Sequence, residues 1–381
     1  MRLLHLSDLH IGKRVNEFPM IEDQRFALEG VLRTIRGRAV DALLVAGDLY
    51  DKSSPSAEAV ALVDWFLSEA AGTGAAVFVI AGNHDSAERV AYGAPFFARH
   101  NVFVSPVYDG EVASVTLEDD HGPVTFWLLP FLKPAAVRPW FPEEEIETYT
   151  DALRCVIEAC PIDRTRRNVA LSHQFATSGG AETERTDSEL SLGGIDNVDA
   201  SVYDPFDYVA LGHVHKPQRV GREEVRYSGS LLKYSFSEIK GEKTMPLVEL
   251  GPKGEVDIEF VPIVPLHDMR PLRGPLEKLL EPENVAAGDP EDYLSVTLTD
   301  ELPALDALER LRRVFPNVMG LSYDNARSQT TDRAGTLDTA ELSDVSPLEL
   351  FERFYEERNG LPMTERQREY AIRAFEKAQV I

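Results

Sequence analysis

Cysteine is nearly absent: the 381-residue chain carries two, Cys155 and Cys160. So few thiols leave no disulfide framework and fit a reducing cytoplasm. Long apolar runs are missing as well, and none reaches the roughly 18 residues that would suggest a membrane span. The opening MRLLHLSDLH turns polar and acidic within a few residues, so it reads as a buried strand and not as a signal peptide. No G-x-x-x-x-G-K-[ST] occurs, so the chain has no P-loop ATPase of its own. Positive charge is scarce: 39 Lys and Arg stand against 64 Asp and Glu, a formal net charge of −25. A protein living on bulk attraction to nucleic acid would be basic. Any polyanionic substrate must therefore be held by metal ions, by local basic patches or by a partner. These lacks predict a cytoplasmic protein with no membrane association.

What remains is a globular composition, 43% hydrophobic and 27% charged, long enough for more than one domain. Over residues 1–267 short β-rich runs (RLLHLS, VDALLVAG, AAVFVIAG) alternate with amphipathic helical patterns (QRFALEGVLRTI, SAEAVALVDWFLSEA). That rhythm argues for an α/β layered domain of two facing sheets with helices outside, a single mixed sheet being the other arrangement. PLVELGPKGEVDIEFVPI reads as a hairpin turning at Pro252–Gly254. DALRCVIEAC places Leu153, Val156, Ile157 and Cys160 at helical spacing, which makes both thiols residues on or near a packed helix face. Prolines cluster near residues 265–275, where a boundary is expected. Residues 268–345 read as a small α+β capping unit with a polar linker, ARSQTTDRAGTLDTAELSDV. Residues 346–381 read as two helices, one opened by Ser346-Pro347 with Glu349 and stopped at Gly360-Leu361-Pro362. The other is opened by Thr364 with Gln367 and carries Ala371, Ala374, Phe375 and Ala378.

The chemistry sits in the polar clusters that close the strands. SDLHIG brings Asp8 and His10, AGDLYD brings Asp48 and Asp51, and AGNHD brings Asn83, His84 and Asp85. LSHQF adds His173, and LGHVH adds His213 and His215. Carboxyl ends of strands in α/β sheets are where ligands bind. A carboxylate, imidazole and amide set without thiolate suits Mn²⁺, Fe²⁺ or Zn²⁺, and there are enough groups for two ions sharing a carboxylate. Spacing of two points both members of Asp8/His10 and of His213/His215 the same way, toward one centre or two adjacent ones. His5, His100, His121 and His267 read as ordinary hydrogen-bonded residues. Asp85 is open between anchoring its loop and supporting its neighbours. Lys13, Arg14, Lys52 and Arg89 follow these motifs closely and are candidates for contact with phosphates. Val60, Val63, Trp65, Phe66, Phe96 and Phe97 read first as core.

The ordered set D-x-H, G-D-x-x-D, G-N-H-D, a lone His, and G-H-x-H resembles the calcineurin-like metallophosphoesterases. Within them LHLSDLHIGKRV, AGDLYDKSSPS, AGNHDS, LSHQFATSGG and SPLELFERFYEERNG look like the bacterial SbcD nuclease branch. The resemblance implies that Asp8, His10, Asp48 and His215 hold one metal, and that Asp48 (bridging), Asn83, His173 and His213 hold the other, with Mn²⁺ as the expected ion. It implies a catalytic His84 paired with Asp51, a position where archaeal and eukaryotic relatives tend to carry His. It further implies a DNA nuclease, acting as a double-strand exonuclease and a single-strand or hairpin endonuclease in repair, replication and recombination. The implied assembly is a homodimer within a heterotetramer, with an SbcC-type coiled-coil ATPase docked on residues 346–381. Two other readings compete: a small-molecule phosphodiesterase or phosphatase of the same fold, and a scaffold that lost its chemistry. The complete set of metal-type residues weighs against the scaffold, and the tail and linker weigh against the small-molecule enzyme.

Overall fold

The runs RLLHL, ALLVA and AVFVI become three neighbouring parallel strands, β1 (Arg2–Leu6), β2 (Ala42–Ala46) and β3 (Ala76–Ile80). They are buried almost throughout, as continuous apolar strands covered on both faces must be. Helix α1 (Ile21–Arg38) joins the first two, and helix α2 (Ala57–Ala71), capped by the Ser56 hydroxyl, joins the next two. β4 (Val102–Val104) then extends this sheet beside β3.

A second sheet follows, made of β5 (Ala113–Asp119), β6 (Gly122–Leu129), β7 (Arg167–His173), β8 (Tyr208–Gly212), β9 (Gln218–Val220) and β10 (Arg222–Tyr227). Its spatial order is β9-β10-β8-β7-β6-β5, with β6, β7, β8 and β10 parallel. The chain then returns to the first sheet as an antiparallel hairpin, β11 (Thr244–Leu250) and β12 (Val256–Pro262), with β11 paired to β1. Each sheet thus has six strands.

The two sheets face each other across a core that includes Leu3, Leu44, Phe78, Phe126, Val169 and Tyr208. Phe78 and Phe126 stack there with ring centroids 4.2 Å apart. Helix α3 (Tyr149–Ala159) covers the far face of the second sheet through Leu153, Val156 and Ile157. Cys160 caps this helix instead of lying within it, its Sγ donating to the Val156 carbonyl at 3.2 Å. Both cysteines are free. This is the layered two-sheet α/β architecture expected from the alternation of runs. Val63 and Phe66 are buried as expected of core, whereas Phe96 is 70% exposed and Phe97 42%.

The structure is a computed structural model that describes residues 1–179, 184, 196–302, 304–325, 347–359 and 362–377. It divides into two compact units, Met1–Asp268 and Met269–Ile381. The second unit contains a parallel sheet of β13 (Met269–Gly274), β14 (Tyr293–Leu298) and β15 (Val318–Tyr323). Leu294, Val296 and Leu298 bury one face of it against Leu276, Leu311 and Phe315. Helix α4 (Ala307–Arg312) begins after Asp306, which takes a left-handed conformation. Helices α5 (Pro347–Asn359) and α6 (Glu365–Lys377) pair through Phe351 against Phe375 and a Gln367–Tyr355 hydrogen bond of 2.8 Å. Thr364 and Gln367 make reciprocal capping bonds at the start of α6. Ser346, the Gly360–Leu361 stop, Ala378 and the linker over 326–345 lie outside the described residues.

Candidate metal centre

Parallel register delivers the polar clusters to one place. Leu6 pairs with Val45 and Ala46 with Ile80, so Asp8, Asp48 and Asn83 leave three adjacent strands at the same end. In the second sheet Gly212 pairs directly with His173, which brings His213 beside it. The loops after β1 and β2 continue the ladder: the His10 amide donates to the Asp48 carbonyl at 2.9 Å and the Ile11 amide to the Leu49 carbonyl at 2.8 Å.

This convergence bends the backbone. Asp8, His10 and Asp48 have φ of 52°, 44° and 52°, and His213 reaches 106°, conformations that cost L-residues on the order of 1–3 kcal/mol each. Two glycines make room. A Cβ on Gly47, itself at φ 90°, would lie 2.3 Å from His173 Nδ1, and one on Gly212 would lie 2.0 Å from the Ala46 carbonyl. The Asp85 carboxylate accepts the amides of Gly82 (2.9 Å), Tyr50 (3.0 Å) and Leu49 (3.1 Å). It ties the second and third loops together, which is the anchoring role.

Seven candidate ligands lie together. His10 Nε2 and His215 Nε2 face each other at 3.0 Å. Asn83 Oδ1 lies 3.0 Å from His173 Nε2 and 2.9 Å from His213 Nδ1. Between the two groups sits Asp48 Oδ2, 3.7 Å from His10 Nε2 and 3.4 Å from His173 Nε2. Asp8 groups with His10 and His215, and again with Asp48 and His173, each set within 4.8 Å. Both Asp8 oxygens lie 3.1 Å from the His213 amide.

The donor set fits divalent cations. His10 Nδ1 is buried without a hydrogen-bond partner. Burial holds the His10 ring far below its ordinary pKa, so it is a neutral imidazole with a lone pair. Asp48 stays ionised: burial opposes its charge, but the His173 charge and hydrogen bond beside it outweigh that and hold its carboxyl below the usual range. Burial likewise lowers His173, but the Asp48 charge beside it wins and raises the ring to about 9, so a cation taken up at Nε2 would displace a proton. His173 Nδ1 donates to the Ala46 carbonyl at 2.8 Å, turning Nε2 toward the centre. His215 has Nδ1 3.9 Å from Glu238 Oε1, with Nε2 likewise inward. Hydrogen bonds of this kind set which nitrogen is offered to a metal.

His84 borders the site, its ring 4.8 Å from that of His10 and its amide donating to Asp48 Oδ1 at 2.8 Å. Its expected partnership with Asp51 runs through the main chain: His84 Nδ1 donates to the Asp51 carbonyl at 3.0 Å. The Asp51 carboxylate instead takes Lys13 Nζ at 2.9 Å. Lys13 is therefore already neutralised, and Arg89 already donates to the Ser53 carbonyl and the Ser54 hydroxyl, both at 3.1 Å. Arg14 donates to the Glu17 carbonyl, and Lys52 is exposed. Four supporting residues lie outside every motif: Gln24, Tyr234, Glu238 and Lys243. The Lys243 ammonium bonds Glu238, the Ser230 hydroxyl and the His215 carbonyl. No local spacing marks them, because their partners are reached only in the folded chain.

Comparison with known proteins gives concordant matches. The profile of the SbcD_C family, described as the Type 5 capsule protein repressor C-terminal domain, matches residues 265–359. The SbcD subunit of the nuclease SbcCD from Staphylococcus epidermidis is 28% identical over 358 residues, covering 93% of this chain and 92% of that protein. Among solved structures, a dimetal phosphatase from Danio rerio is 10% identical with a TM-score of 0.41, covering 69% of this chain and 96% of that one. TT1561 of Thermus thermophilus is 14% identical with a TM-score of 0.33, covering 68% and 98%. The profile of the calcineurin-like phosphoesterases matches residues 1–217, more than half the chain and every strand end described above, and the chain belongs to that family.

Proposed function

We propose that the chain is the nuclease subunit of an SbcCD-type complex, a two-metal hydrolase of DNA phosphodiesters. One observation carries the reading: the Asp48 carboxylate oxygen stands between two separate ligand groups, His10/His215 and His173/Asn83/His213. Asp8, His10, His215 and Asp48 would hold one ion, and Asp48, Asn83, His173 and His213 the other, with Mn²⁺ the expected metal. When bound, a pair of such ions neutralises an anionic phosphodiester and makes a water acidic enough to attack it near neutral pH.

The residues of the chain supply the rest. Asp8, His10, Asp48, His173 and His215 are buried, whereas Asn83 is exposed and His84 and His213 are half-buried. Substrate therefore approaches on the side of Asn83, His84 and His213. His84 Nδ1–H is committed to the Asp51 carbonyl, which leaves Nε2 to hold or deliver a proton at the departing oxygen. Lys52, together with Lys13, Arg14 and Arg89 once rearranged, would meet flanking phosphates.

The relative's name supports an SbcC-type partner and a DNA substrate. The docking segment would be residues 346–381, where Leu350, Phe354 and Tyr370 are exposed, and residues 268–345 would form the capping unit. A homodimer in a heterotetramer is supported by exposed Val60, Tyr92 and Phe97 around a cavity of about 770 Å³, with exposed Phe96 next to Phe97 in the chain. The double-strand exonuclease and hairpin endonuclease activities in repair, replication and recombination, in the cytoplasm, belong to the same reading. The test is to incubate the chain and its ATPase partner with Mn²⁺ and either linear DNA or a chromogenic phosphodiester. DNA cleavage is expected. Turnover of the small ester with DNA left intact would instead establish a small-molecule phosphodiesterase.

A further inference from the structure

We infer that Gln24 and Tyr234 are positioning residues for His10, and that they support one of the two metal positions and not the other. This rests on the two-metal reading above. Neither residue belongs to a motif: Gln24 lies in the first turn of α1, and Tyr234 lies in the segment after β10. Both are buried, Gln24 completely.

Together they close a small polar circuit around the turn that carries His10. Gln24 Nε2 lies 2.8 Å from the His10 carbonyl and 2.9 Å from the Tyr234 hydroxyl. Gln24 Oε1 accepts the Gly12 amide at 3.0 Å. The Tyr234 hydroxyl donates in turn to the Leu9 carbonyl at 2.5 Å. The amide has two hydrogens and the phenol one, and each finds one of these acceptors. The circuit is therefore fully satisfied in a buried place, where an unmet polar group would cost on the order of 1–3 kcal/mol.

The turn needs such a hold. Asp8 and His10 both stand at positive φ, so the chain from Leu6 to Gly12 would relax if released. Tyr234 also sets its ring edge-on to His10, with centroids 5.8 Å apart, and lies 6.2 Å from the ring of His215. Its amide donates to Glu238 Oε1 at 3.3 Å, and that carboxylate faces His215 Nδ1. One short segment, Tyr234–Glu238, thereby braces both imidazoles of the His10/His215 position. The other position is braced differently: His173 by the Ala46 carbonyl of β2, and His213 by Phe131, whose ring lies nearly parallel at 6.4 Å.

A merely structural polar core would lower stability when cut and would leave metal preference alone. Positioning has a different signature, an unequal loss at the two ions. The probe is Mn²⁺ itself, titrated calorimetrically into metal-free chain and followed by electron paramagnetic resonance, with Gln24→Leu and Tyr234→Phe as variants. The wild-type chain is expected to bind two Mn²⁺ and to show an exchange-coupled spectrum. Gln24→Leu is expected to keep one ion within about threefold of its wild-type affinity and to lose roughly 10- to 100-fold at the other. At one equivalent it should then show the six-line spectrum of isolated Mn²⁺. Tyr234→Phe, which keeps the ring and loses only the hydroxyl, should shift the same ion by less. The retained ion reports that the variant is folded. Unchanged affinity at both ions, or an equal loss at both, would overturn the inference while leaving the two-metal reading in place. A wild-type chain that binds fewer than two Mn²⁺ would overturn the reading and the inference with it.

Discussion

At the scale of single residues, the difference between Asp51 as a letter and Asp51 in space has a consequence. His84 is oriented by the Asp51 carbonyl, which any residue at that position supplies, while the carboxylate pairs with Lys13. Asp51→Asn should therefore leave Mn²⁺-dependent DNA cleavage within about tenfold of wild type. His84→Leu should lower it by roughly 10²- to 10⁴-fold, the usual range for a general acid or base, with bound metal nearly unchanged. Cleavage rates at saturating Mn²⁺ and metal content per chain decide both, and loss of metal in His84→Leu would make His84 a ligand. His5 shows the opposite kind of histidine. It is wholly buried between the sheets with Nδ1 2.9 Å from the Tyr208 hydroxyl, and burial lowers its pKa from 6.5 to about 3. The folded chain refuses a proton there that the unfolded chain accepts below pH 6.5. This contribution is therefore intact above that value and falls away as pH drops from 6.5 toward 3. His5→Gln should lose about 2 kcal/mol less stability than wild type between pH 7 and pH 5, measured by urea unfolding. The ligand candidates were legible because each sits in a short motif at a strand end. Gln24, Tyr234, Glu238 and Lys243 were not, because they act only through partners distant in the chain.

At the scale of elements, the alternation of apolar runs and amphipathic helices was enough to read a layered α/β domain and the returning hairpin. It left two facing sheets and a single mixed sheet both open, because an apolar run buried on both faces does not say which sheet it joins. What the pattern could not carry was how the sheets are fastened at their edges. Arg167 opens β7, is almost wholly buried, and holds both Asp119 oxygens at the end of β5, with one contact of 3.0 Å. The same guanidinium donates to the Gly251 carbonyl at 3.1 Å, in the turn that follows β11 of the other sheet. One side chain thus staples the layers. The Arg167 hydrogen bonds hold the Asp119 carboxyl well below the usual range. Its stabilising share is complete above the ordinary aspartate pKa and is lost as pH falls through the depressed one. Asp119→Asn leaves the buried guanidinium without its counter-charge and should cost on the order of 3 kcal/mol at pH 7. The gap to wild type should narrow as the solution is taken below about pH 4. Denaturant midpoints at pH 7 and pH 3 measure it; a gap that widened in acid would assign the staple to something other than the ionised carboxylate.

For the whole molecule, the formal charge of −25 and the proposed DNA substrate pull in opposite directions. Local cations offer partial relief: Lys13 is paired with the Asp51 carboxylate, whereas Arg89, bonded to the neutral Ser53 carbonyl and Ser54 hydroxyl, keeps its charge. Phe96 and Phe97 read first as core, yet both are exposed, as is nearby Tyr92; an apolar pattern cannot distinguish a face buried inside one chain from a patch exposed on it. If that patch joins two copies, Phe96→Glu should give a monomer by analytical ultracentrifugation with its Mn²⁺ stoichiometry unchanged. The charge argument reaches further. In the proposed complex, long-range repulsion between the acidic chain and DNA would have to be overcome by cations that the partner provides. The isolated chain, loaded with Mn²⁺ and made incapable of cleavage by His84→Leu, should bind linear DNA no tighter than ~1 μM at physiological salt, within the range of weak non-specific contacts. Adding the coiled-coil ATPase should tighten binding and steepen its dependence on salt, because each phosphate newly neutralised by a Lys or Arg releases counterions. Fluorescence anisotropy across a salt series, with and without the partner, reads both quantities. Tight, salt-insensitive binding by the chain alone would mean that DNA is held by direct contacts rich enough to outweigh the charge, and the cationic share assigned to the partner would be wrong.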